Sequence, residues 1–198
     1  MMHKYLCLLA GITMTACASD SGEGSPKESA AAPAAEAGCI AGGGGALQAQ
    51  LRGALTADLN WANEVMRCEG GARPDGHGLR VTLAGPLPGA AAGGSPARQL
   101  RFIFGIDYKD LAAGSAQALP TNVTVILEGE GRIFATRGAD RCAVESLERV
   151  PLLAEGGRFE RVHVRGYCTA PAAELSGDAR LLLPTFEFTG RVAAGDAP

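Results

Sequence analysis

The 198 residues carry 18 Lys plus Arg against 21 Asp plus Glu, a formal net charge of −3. From Cys39 onward the count is 16 cations to 17 anions, which excludes both the basic footprint of a nucleic-acid binder and electrostatic docking on anionic lipid. With six cysteines and 28 glycines, the chain reads as rich in turns and supplied with crosslinks.

The chain opens on Met1, Met2, His3 and Lys4, followed by an apolar run from Tyr5 to Ala16 and then Cys17. A basic start, a short apolar stretch and small residues before a cleavage point describe a secretory signal over 1–16. The run falls well short of the roughly 20 residues that span a bilayer. Met14-Thr15-Ala16-Cys17 resembles the lipobox of bacterial lipoproteins, in which leucine is commoner at the position of Met14. That resemblance implies cleavage before Cys17, acylation of its thiol and attachment to a membrane through the lipid. Ala18, where the family's inner-membrane retention signal has Asp, implies the outer membrane, on its periplasmic face. The competing reading of the same residues is an ordinary signal with Cys17 as a bystander. Residues 17–37 then form a tether built from Ala, Ser, Glu, Gly and Pro, unable to bury enough apolar surface to order itself. Its reach is about 25 Å.

About 160 residues remain, enough for one domain over 38–198. Cys7 leaves with the signal and Cys17 takes the lipid, so Cys39, Cys68, Cys142 and Cys168 are left. An even number in an exported chain predicts two disulfides. Three pairings are open; Cys39–Cys68 and Cys142–Cys168 are favoured because each joins neighbouring strands or a strand and the domain entrance. A four-cysteine metal site would want close CxxC pairs, which do not occur, so neither a metal nor another cofactor is expected.

The first folded segment, "LQAQLRGALTADLNW" (47–61), alternates apolar and polar residues over its whole length. Its leucines also recur every fourth position, so an amphipathic helix competes with a strand until the neighbours are read. Those neighbours are extended. "LRVTLAG" (79–85) sets Leu79, Val81 and Leu83 inward, and "QLRFIFGID" (99–107) does the same with Leu100, Phe102, Phe104 and Ile106. "NVTVILEG" (122–129) aligns Val123, Val125 and Leu127, with "EGEG" as a hairpin turn into "RIFATRG". "RCAVESLERV", "RFERVHVRGYC" and "TFEFTGRV" follow, separated by Gly-, Pro- and Ser-rich stretches. The expectation is an all-β fold: an antiparallel β-sandwich of about nine strands, stapled by disulfides, with Trp61, Phe186 and Phe188 in the core. "RPDG", "LPT" and "YCTAP" give this part a resemblance to uncharacterised lipoprotein domains of Gram-negative bacteria.

No GxSxG elbow, P-loop, HExxH or dinucleotide fingerprint occurs, and no catalytic residue is assigned. Asp75 and His77 sit in the turn "RPDGHG"; Asp107, Asp110, Glu128 and Glu130 supply further carboxylates in loops. The best candidate binding face is the outer side of "RFERVHVRGYC". If Val162, Val164 and Cys168 point inward, then Arg161, His163, Arg165 and Tyr167 form an outward stripe of donors ending in an aromatic ring. Such a stripe suits an anion, a sugar or a partner's carboxylates; its rival is a solvated face with arginines paired to Glu160 or Glu187. The leading expectation is a non-catalytic envelope lipoprotein, a binding or assembly module with an envelope protein as a partner. Two other classes stay open. A hydrolase of envelope polymers needs at least two of Asp75, His77, Asp107, Glu128 and His163 in one cleft. A carrier of an apolar ligand needs an internal cavity lined by Phe102, Phe104 and Phe186.

Overall fold

The computed structural model describes residues 38–89, 98–108 and 118–194; the signal, Cys17, the tether and Asp110 lie outside them. Twelve strands follow in order: β1 (Ala46–Gly53), β2 (Ala57–Ala62), β3 (Arg67–Ala72), β4 (Leu79–Pro86), β5 (Gln99–Ile106) and β6 (Leu119–Glu128). Then come β7 (Arg132–Ala135), β8 (Cys142–Pro151), β9 (Phe159–Cys168), β10 (Ala172–Glu174), β11 (Arg180–Leu182) and β12 (Phe186–Ala193). Every pairing is antiparallel, as short connections demand.

The strand count exceeds the expected nine for a local reason. β6 pairs β7 through Thr124–Leu127 and β8 through Leu119–Thr121, so β7 and β8 are two pieces of one line. In the same way β1 pairs β12 through Ala46–Ala49 and β11 through Arg52 and Gly53. β9 lies against β12, and β10 against β11. Pro171 and Pro184 stand in the last two breaks, where a missing N–H interrupts a ladder. The result is a meander from β3 to β12 whose last line, β11 and β12, is joined by the first hairpin, β1 and β2, with β2 and β3 as the two free edges among the described strands.

The segment 47–61 is neither one long strand nor a helix. It is a hairpin, β1 and β2, with Leu47 opposite Trp61 and Ala49 opposite Leu59. "RCEGGA" forms β3, which composition alone argues against because Gly70 and Gly71 weaken a strand. Val192 leans onto the face of Gly70, closing the gap that a larger residue would fill.

Alternation sends one face of each half of the sheet inward. Phe104 of β5 packs on Phe186 and Phe188 of β12, with ring centroids 4.9 and 4.8 Å apart. Trp61 meets Phe102 edge-on at 5.7 Å and donates its indole N–H to the Pro86 carbonyl at 2.8 Å. Gly85 leaves the space its ring occupies: a Cβ there would stand 2.7 Å from the indole. Each such ring removed from water contributes on the order of 1.5–3 kcal/mol.

Disulfides join Cys39 to Cys68 and Cys142 to Cys168. The second links directly opposed residues of β8 and β9. The first fastens the start of the domain to β3, beside a node built on Asn63. Its side-chain oxygen accepts the N–H groups of Ile40 at 2.9 Å and Gly45 at 3.0 Å, while its carbonyl accepts that of Cys39.

Candidate functional site

The register of β2, β1, β12, β9 and β8 lays a row of polar residues across the outer surface. Asn60 stands opposite Gln48, Gln48 opposite Glu187, Glu187 opposite Arg165, and Arg165 opposite Ser146. Five adjacent strands at about 4.8 Å each make the row roughly 19 Å long. A register shift in β8 between Val144 and Ser146 inserts Glu145, which turns out beside Arg165. Next to this row lie Asp58, Gln50, Thr185 and Tyr167, where the break between β11 and β12 dips the surface. The two rows enclose an open trough of about 540 Å3, within the roughly 300–1,000 Å3 usual for small-ligand sites.

The trough has a firm floor. Phe186 fills the space beneath Gly166, where a Cβ would meet the Ala143 carbonyl oxygen at 2.4 Å and the Phe186 ring at 2.6 Å. Its polar walls are loosely engaged. The Arg165 guanidinium is 4.0 Å from the Glu145 carboxylate, and His163 Nε2 is 3.4 Å from Glu187. Only Asp58 is tightly held, by Arg52 at 2.7 Å. Among the described residues, no hydrogen bond engages the side-chain amides of Gln48, Gln50 and Asn60. Carboxylates outnumber cations in the lining, with Asp58, Glu145 and Glu187 set against Arg165.

The four residues of the candidate face on β9 all point outward, alternating with buried Val162, Val164 and Gly166. The trough takes two of them, Arg165 and Tyr167. His163 stands one row away, its Nδ1 3.0 Å from the Thr189 hydroxyl. Arg161 lies a row farther still, with its guanidinium close to Gly44 in the glycine loop. Gln48, Gln50, Asp58 and Asn60 are visible in the sequence only as the polar half of an alternation; no local pattern marks them as neighbours of Arg165.

The candidate acids lie elsewhere. Asp75 accepts hydrogen bonds from Arg73 Nη2 at 2.6 Å and from the His77 backbone N–H at 3.0 Å, and these hold its carboxyl down to about 2, with the Arg73 bond the larger cause. Asp107 adds its charge to the surroundings of Arg73. Glu128 accepts from Arg101 at 2.7 Å, and Glu130 pairs with Arg98. Asp75, His77, Asp107, Glu128 and His163 are all absent from the trough lining. Among the described residues, no group of three or more His, Cys, Asp or Glu side chains is placed to hold a metal ion, and no helix is long and apolar enough to cross a membrane. No family model, curated protein or solved structure matches the chain.

Proposed function

We propose that the chain is a non-catalytic binding module of the bacterial cell envelope, tethered to the outer membrane by lipid on Cys17. The observation that carries this reading is the trough across five strands, with a close-packed floor and three exposed side-chain amides that no described residue engages. The amides are exposed, so a ligand reaches them by displacing water alone, without breaking a protein hydrogen bond. The acids a hydrolase would draw on are held by arginines at turns and strand ends, as Asp75 and Glu128 are. The rings that would line a cavity for an apolar ligand pack on one another instead. The anchor follows from the resemblance of Met14–Cys17 to a lipobox.

The test places a photo-crosslinking residue at Thr185 in the trough, or at exposed Arg80 on the other half of the sheet, in cells of a Gram-negative host. Envelope adducts are expected from position 185 and not from position 80. Equal adducts from both positions, or none from either, would overturn the reading. Mass analysis of the same protein checks for the lipid on Cys17.

A further inference from the structure

We infer that the trough takes a neutral, polyhydroxylated ligand, a short segment of glycan. This deepens the binding-module reading and rests on it. The lining decides the class. An amide side chain offers a carbonyl acceptor and two N–H donors in one plane. Sugar hydroxyls, each a donor and an acceptor at once, are the groups that such amides satisfy in pairs. Gln48 and Asn60 face each other across β1 and β2, and Gln50 stands one step along the same hairpin. Together they present three such planes over a distance on the order of two strand spacings.

Charge weighs against the anionic competitors. With Arg52 paired to Asp58 and Arg165 beside Glu145, the carboxylate of Glu187 leaves the trough with an excess of one negative charge, which disfavours phosphate, sulfate and acidic peptides. A cationic peptide would find those carboxylates, but it would leave the three amides and the ring of Tyr167 with little to do. An extended peptide would also favour a free sheet edge or apolar side pockets, and the trough is neither. Tyr167 supplies the remaining element of a sugar site. Its half-buried ring stands opposite Ala143, whose small side chain leaves the flank of the ring open for the C–H face of a pyranose. The carboxylates Asp58 and Glu187, at the two sides of the amide group, can accept hydrogen bonds from sugar hydroxyls.

The experiment is a nitrogen-15 titration of the purified full chain with chitotriose, cellotriose and maltotriose, with tetralysine and inorganic phosphate run in parallel. At least one trisaccharide is expected to shift the amide signals of Gln48, Asn60, Arg165 and Tyr167, with a Kd of about 1 mM or tighter. The double variant Gln48→Ala/Asn60→Ala is expected to weaken that binding by about tenfold or more while leaving the melting temperature in place. Binding that the double variant leaves untouched would overturn the assignment. So would silence toward all three sugars. Shifts with tetralysine or phosphate alone would overturn the glycan class yet keep the trough as a binding site. Crosslinks absent from position 185 would instead remove the binding-module reading itself.

Discussion

The two outer surfaces of this sheet are built by the same alternation and spend it differently. On β5, β6 and β7 the outward positions include Ile103, Ile126 and Ile133, all half-buried, with Ile126 directly opposite Ile133. Neighbouring Thr82 and Ala84 point outward from β4 and are still only 6% and 5% exposed. Charged residues at the margin, Arg101 with Glu128 and Arg98 with Glu130, close on each other. Across the molecule, the trough on β1, β2, β9 and β12 presents exposed amides that no described residue engages, and two long ion pairs of 3.4 and 4.0 Å beside the tight Arg52–Asp58 pair at 2.7 Å. One surface covers most of its outward side chains, although Asn122 Oδ1 and Arg73 Nη1 are buried there without a hydrogen-bond partner among the described residues. The other leaves its polar side chains to water, which the hydroxyls of a ligand can replace.

The largest effect that separates the two surfaces should come from the disulfides. Cys142–Cys168 and Cys39–Cys68 close loops of similar length, with separations of 26 and 29 residues. Loop entropy alone therefore assigns each about 3–4 kcal/mol. Urea unfolding of Cys142→Ser/Cys168→Ser and of Cys39→Ser/Cys68→Ser should show comparable losses. Their effects on the trough should differ. The first pair crosslinks β8 and β9 where Arg165, Tyr167 and Glu145 are positioned, so its removal should also blunt the trisaccharide response. The second pair holds the domain entrance to β3 and should leave that response intact. Equal damage to the trough by both variants would break the distinction between the two surfaces.

A pair of glycines provides a smaller and sharper comparison. Gly166→Ala drives a methyl group to 2.4 Å from the Ala143 carbonyl oxygen, so β8 and β9 must part or Phe186 must move. A cost of about 1–3 kcal/mol is expected, with a matching fall in melting temperature. Gly105→Ala makes the same chemical change on β5, where the nearest atom would be Arg73 Nη1 at an ordinary 3.5 Å. Its effect should stay within about 0.5 kcal/mol. Equal costs would mean that the floor of the trough is no firmer than the opposite surface.

The parts of this fold that were legible in the sequence share a physical property: one dry face. Leu79 to Leu83, Leu100 to Ile106 and Val123 to Leu127 alternate because every second side chain enters the core, where the apolar members of each run are buried. The 47–61 segment reads as one strand because its turn has three residues, Ala54 to Thr56. An odd count preserves parity, so Leu51 and Leu59 appear to continue one alternation. β3 escapes notice for the opposite reason: the inward position at Gly70 is filled by Val192 from another strand, which leaves no apolar residue to read. On β9 the outward order of Arg161, His163, Arg165 and Tyr167 follows from parity alone. The trough does not. It joins residues 48–60 to residues 145–187, and only strand register makes Gln48 a neighbour of Glu187.

The smallest difference concerns how the two surfaces hold their carboxylates. Asp75, in the turn between β3 and β4, is fixed by Arg73 and by the His77 N–H, and its carboxyl lies at about 2 instead of 3.8. In the unfolded chain it takes up its proton near 3.8; in the folded protein it does so only near 2. Unfolding therefore binds a proton between those values. The contribution of this group is complete above 3.8 and is lost as pH falls toward about 2. Asp75→Asn should flatten that part of the acid-unfolding curve and barely change the rest, because the carboxylate is exposed and its pairing is screened by water. Glu145→Gln removes a carboxylate whose arginine is 4.0 Å away, and stability at neutral pH should stay within about 0.5 kcal/mol of the parent. A larger loss at Glu145 than at Asp75 would mean that the trough carboxylates already serve the fold, and the surface would then have less to offer a ligand.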